Sequence, residues 1–192
     1  AVHATRLGAA ATDRERDYIA AVNQLYRDYE HRDQRSRVVA YEQAMATLAA
    51  HQPADTEAQI FHAISLVAAA LPTDKTYANQ LEAGKILEAL WVKEPNHPGL
   101  AHYIIHTYDY PALAAQAMAA ANRYAAIAPT AAHALHMPSH TFTRIGSWQK
   151  SVNTNLRSIK VAVHDSEIAE ALHAADYAVY AYLQMRRDNA AH

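Results

Sequence analysis

Two histidine pairs stand in register along the chain. His102 and His106 recur as His136 and His140, each displaced by 34 residues. The surroundings recur with them: Pro95 as Pro129, Ala101 as Leu135 and Tyr108 as Phe142. Neutral imidazole is a good donor to late first-row metals. Four imidazoles without a thiolate therefore favour Zn or Cu, admit Fe or Ni, and do not suit Ca or Mg.

On a helix, a spacing of four brings both histidines of a pair onto one face. With His102 at zero, His106 falls near about +40° and Asp109 near about −20°. The second pair gains His133 on the same face, provided that Pro138 does not disrupt the helix. Packed helices lie roughly 8–10 Å apart, so imidazoles reaching from two neighbours can meet at one ion. The expected site is thus His102, His106, His136 and His140. Asp109 serves as a fifth ligand or as the acceptor that orients an imidazole, and His133 stands as a further ligand. The competing explanation is that these histidines simply donate hydrogen bonds inside a tightly packed helical array.

Other chemistries fit less well. Neither pair is H-E-x-x-H, so the glutamate base of a metalloprotease is absent. Ser139 lies beside His140, but nothing glycine-rich is available to build an oxyanion hole. His62, His173 and Asp176 are candidates to widen the site or form a second one. His97 precedes Pro98 and suits a helix N-cap region, while His3, His31, His51, His164 and His192 fall at termini or turns and are expected to be solvated.

The composition demands helices. Of 192 residues, 51% are hydrophobic, much of that alanine, and only four are glycine. Alanine has the best helix propensity and lets helices approach closely. No stretch alternates as a strand would, so the fold class is all-α. A formal charge of −2 supplies no basic stripe for nucleic acid. The absence of cysteine removes disulfides and thiolate sites. The longest apolar run, 63–71, is too short to span a bilayer. Protonating all 13 histidines would carry the formal charge from −2 to +11, so acid should disturb the protein strongly. No signal peptide is visible, and a start without methionine reads as a processed product or an excerpt of a longer chain.

Proline and polar clusters punctuate nine expected helices: about 13–29, 38–50, 55–70, 76–93, 98–109, 111–128, 131–145, 148–163 and 166–187, with the charged stretch 30–37 as the first turn. Thr12 with Glu15 forms a capping box at the first. Small residues recur in the second helix of successive pairs at Ala83, Ala117 and Ser151, again 34 apart.

That period, together with the turn Ile145-Gly146-Ser147-Trp148, resembles the tetratricopeptide repeat, most clearly over 95–163. The resemblance implies antiparallel helix pairs stacked in a right-handed superhelix, forming a single domain whose first helices line the concave face. The strings HPGLAHYIIHTYD (97–109), HALHMPSHTFTRIG (133–146), TDKTYANQ (73–80) and HAADYAVYAYLQ (173–184) resemble those of a group of bacterial tetratricopeptide-repeat proteins. Members of that group are usually longer at the N-terminus, which agrees with an excerpt. The group supplies a fold and no residue-level activity. Three functions follow as expectations: a transition-metal site on the concave face, a metal-free groove for a peptide or protein partner, and a pH-responsive scaffold. A metal-dependent enzyme would use the same histidines. The carboxylate clamp by which some family members grip a peptide end uses lysine and asparagine, and histidines hold those places here.

Overall fold

The computed structural model describes residues 12–191, so the expectations for His3 and His192 lie outside the described residues. Among the described residues every regular element is helical. The helices are α1 (Asp13–Tyr26), α2 (Gln34–His51), α3 (Thr56–Ala69), α4 (Ala78–Lys93), α5 (Pro98–Thr107), α6 (Met118–Ile127), α7 (Ala132–His136), α8 (Pro138–Arg144), α9 (Trp148–His164), α10 (Ile168–Gln184) and α11 (Asp188–Ala191). Packing divides the chain into two compact units between Leu90 and Trp91. No described helix is long and apolar enough to cross a membrane.

In the first unit the helix starts are set by side-chain caps. Thr12 and Glu15 form the expected capping box on α1, with each side chain bonded to the other's backbone. Asp33 caps α2 through the Ser36 N–H, so that helix begins four residues earlier than the charge pattern suggested. Asp55 caps α3 through the N–H groups of Glu57 and Ala58. The core of this unit joins Ala21, Met45, Leu48 and Ala58, with Tyr18, Tyr41 and Ala44 packed against it.

The second unit carries the histidines. His97 accepts from the Leu100 N–H and caps α5, whose first helical residue is Pro98. The repeat register holds in burial: Ala101 and Leu135 are both buried, as are Tyr108 and Phe142. The small residues Ala117 and Ser151, like Ala83 in the first unit, have no exposed surface at all. Two expectations need correction. The element placed at 111–128 opens as a tight turn and a 3-10 segment, Ala114–Ala117, because Tyr110 O accepts from both Leu113 and Ala114. The α-helix proper starts only at Met118. The helix placed at 131–145 is split into α7 and α8, since Pro138 has no N–H to continue the ladder. Met137 between them still has helical dihedrals, so the two segments keep nearly one course.

Three successive helices end alike. Gly146, Ser166 and Arg186 take positive φ, and the next residue donates back five positions: Ser147 to Phe142, Glu167 to Ala162 and Arg187 to Tyr182. This is the Schellman ending, which satisfies carbonyls left over at a helix C-terminus. Glycine adopts it without strain, whereas a residue with a Cβ is strained there by about 1 kcal/mol. Gly146→Ala should therefore destabilise the protein by about 1 kcal/mol, while Ser166→Gly should leave it unchanged or more stable. Urea unfolding checks both, and equal losses from the two changes would contradict this account of the turns.

Candidate metal centre

Three chain segments bring the histidines together. Helix α5 presents His102 and His106, the α7–α8 segment presents His133, His136 and His140, and α10 presents His173. The six rings form one continuous series. Consecutive ring centroids lie 5.1 Å apart for His133–His102, 4.7 Å for His102–His106 and 5.8 Å for His106–His140. The series ends with His140–His136 at 4.9 Å and His136–His173 at 4.5 Å.

Within that series the donor atoms fall into two trios. His102, His106 and His133 form one, His136, His140 and His173 the other, with the ligand atoms of each trio within 4.8 Å of one another. The quartet expected from the repeat register is thus divided between two clusters, and His133 and His173 complete them. Pro138 does not spoil the convergence: His136 Nε2 and His140 Nε2 stand 3.0 Å apart.

Hydrogen bonds on the far side of His136, His140 and His133 decide their tautomers. His136 is fully buried, and its Nδ1 faces Asn155 Oδ1 at 2.7 Å. The Asn155 amide is itself oriented, because Nδ2 donates to Ser151 O at 2.8 Å. Asn155 Oδ1 must then accept, which places the His136 proton on Nδ1 and leaves Nε2 as a bare lone pair. His140 Nδ1 donates to Asp109 Oδ2 at 2.9 Å, with the Tyr177 hydroxyl 3.3 Å from the same nitrogen. A neutral His140 is therefore also bare at Nε2. Two lone pairs facing each other at 3.0 Å repel unless a cation, either a shared proton or a metal, lies against both.

The other trio is different. His133 Nδ1 lies 3.2 Å from Glu170 Oε1, which fixes its proton there, and His133 Nε2 faces His102 Nε2 at 3.2 Å. A neutral His102 can donate Nε2–H into that contact, so this pair is satisfied without a cation. The His102 ring is held between Tyr103 and Tyr124, stacked at 5.0 and 5.6 Å.

Asp109 lies two residues beyond the end of α5, not on the helix as its spacing suggested. Its second oxygen accepts from Arg144 Nε at 2.7 Å. Burial pushes its carboxyl up, but the bonds from His140 and Arg144 outweigh this and hold it below the ordinary range. Of the two roles expected for Asp109, the geometry fits the acceptor that orients an imidazole. His62 belongs to the first unit, where its Nε2 lies 3.7 Å from Glu42. Ser139 is buried with no hydrogen-bond partner for Oγ, so no base activates it.

Asn155, Glu170, Arg144 and Tyr177 escaped the sequence reading. A second offset could have found two of them. His133, His136 and His140 advanced by 37 residues give Glu170, His173 and Tyr177.

Fold and site together define an all-α, tetratricopeptide-like helical-repeat protein with a polar histidine cluster in its second unit. No family model matches the chain, and no curated protein matches it. Solved structures do share its fold. It is similar to MamA (41-end) from Desulfovibrio magneticus RS-1 with a TM-score of 0.69 at 12% identity, covering 95% of this chain and 91% of that one. MamA of strain MSR-1 follows at 0.59 and 13%, covering 90% and 91%. MamA of strain AMB-1 gives 0.58 and 13%, covering 91% and 87%. At such low identity the likeness establishes architecture alone.

The histidines make metal-free stability depend on pH. Burial, reinforced by neighbouring imidazoles, lowers His102 from 6.5 to about 4. Burial likewise lowers His136 to about 3, although its bond to Asn155 opposes the shift. The unfolded chain binds these protons more readily than the folded one, so stability is complete above 6.5 and is lost as pH falls from there towards about 3. The thermal midpoint of metal-free protein should decline steadily through that window. A flat profile between pH 6.5 and 4 would show that the folded histidines titrate normally.

Proposed function

We propose that this protein is a helical-repeat metal-binding protein whose principal centre is His136, His140 and His173. The observation that carries this reading is the contact between two bare Nε2 atoms at 3.0 Å, each fixed from behind by Asn155 or Asp109. Such outer hydrogen bonds are what orient histidines on metals. A tetrahedral zinc shell with bonds of about 2.0–2.1 Å sets its nitrogens about 3.3–3.4 Å apart, close to the spacing here. All-nitrogen ligation favours Zn or Cu, with Fe or Ni as alternatives. When bound, the ion replaces the repulsion between lone pairs with two coordinate bonds. The chain's own contribution is to hold the tautomers, keep His136 dry, and balance charge through Asp109 and Arg144.

A second reading, a partner segment, draws on a cleft of about 270 Å³ beside the same histidines. It is lined by Asp109, His140, Thr143, Arg144, Asp176, Tyr177 and Tyr180, and suits one polar side chain of a peptide or protein more than a buried helix. The motif strings also support membership in the bacterial tetratricopeptide group that they resemble.

Elemental analysis of protein purified without a histidine tag tests the metal reading. Zinc or copper should be stoichiometric and should be lost in a His136→Ala/His140→Ala variant. Asn155→Ala and Asp109→Asn should each weaken affinity about 10–100-fold, because the ligands lose their orientation. Protein that binds no metal, and whose thermal midpoint is unmoved by added Zn or Cu, would refute the proposal.

A further inference from the structure

The six imidazoles are more than one tetrahedral ion requires, and their division is unequal. The trio His136, His140 and His173 contains a contact that needs a cation. In the other trio, Glu170 places the His133 proton on Nδ1, so His102 can donate to His133 and leave the pair satisfied. A metal entering there must first break that hydrogen bond. It also enters beside an occupied neighbour, since His106 and His140 rings lie 5.8 Å apart and His133 and His136 rings 6.1 Å apart. Two divalent ions at such range repel, even in a high effective dielectric. The first trio is anchored on His136, which has no exposed surface, whereas none of His102, His106 and His133 is fully buried, so the second position is the more open to exchange.

We infer that His102, His106 and His133 form a second transition-metal site that fills after the first, binds more weakly, and exchanges its ion with solvent. Glu170 is its positioning residue, as Asn155 and Asp109 are for the first. This inference rests on the metal reading above and extends it. The protein then holds one retained ion and one exchangeable ion, an arrangement that suits uptake and delivery of metal.

The prediction has two separable halves, which a calorimetric titration of metal-free protein with zinc distinguishes. Wild-type protein should show two steps and a limiting ratio of two ions per chain. His106→Ala/His133→Ala should lose the weaker step and keep the tighter one. Glu170→Gln, which preserves shape, should weaken only the second step, about 10–100-fold. Asp109→Asn should act chiefly on the first. Circular dichroism on each variant shows that a lost step is not lost folding, and the conservative Glu170→Gln gives the answer if the double alanine variant fails to fold. A single step in wild-type protein, abolished by His136→Ala/His140→Ala, would overturn the second site while leaving the first standing. Loss of the tighter step in Glu170→Gln would overturn the assignment of the two trios. No binding at all would remove both readings.

Discussion

The second unit is organised around an unfavourable contact held in place by favourable ones. His136 and His140 point their Nε2 atoms at each other, while Ser151, Asn155, Asp109 and Arg144 prevent either ring from turning away. Turning the His136 ring over would break the bond to Asn155 in a fully buried place, and an unpaired buried polar group costs about 1–3 kcal/mol. Turning His140 would leave the Asp109 carboxylate without its imidazole donor. The helices that supply these anchors are therefore as necessary to the site as the ligands themselves. Helix α9 contributes Asn155 from a face whose other inward residues, Ser151 and Ser158, are equally buried.

Close packing makes this convergence practicable. Ala132, Ala162 and Ala171 form a cluster in which α7, α9 and α10 meet through side chains no larger than a methyl group. Ser158 Oγ donates to Ala132 O, which pins the start of α7 to α9. With the backbones this close, side chains as short as histidine and asparagine can span the remaining gap. Larger residues at these positions would separate the rings and dissolve both trios.

Much of the architecture was legible from local chemistry. The capping box at Thr12, the cap from His97 and the proline at the start of α5 all act within one turn, so they read correctly from neighbouring residues. The 34-residue register foretold which positions share an environment, as the matched burial of Ala101 with Leu135 confirms. Helix ends were less legible where they depend on a competing bond. The turn from Tyr110 O to two N–H groups delays α6, and the missing N–H of Pro138 divides α7 from α8. Asp109 leaves the expected helix face for a specific reason: α5 ends at Thr107, and the carboxylate reaches His140 from the following turn.

The sequence by itself determined that the chain is helical, that its repeats are about one helix pair long, and that histidines recur on the first helix of adjacent pairs. These are properties of residue type and spacing, which propensity and periodicity express directly. Only the tertiary structure decided how the six imidazoles are shared. Neighbouring helices meet at more than one offset: 31 residues for His102 with His133, 37 for His136 with His173, and the repeat length of 34 for His106 with His140. Because no single offset governs the packing, His133 and His173 join the register residues, and two trios replace one quartet. The tautomers of His136, His140 and His133 were also decided there, because the proton on each follows a residue from another helix or turn: Asn155, Asp109 or Glu170.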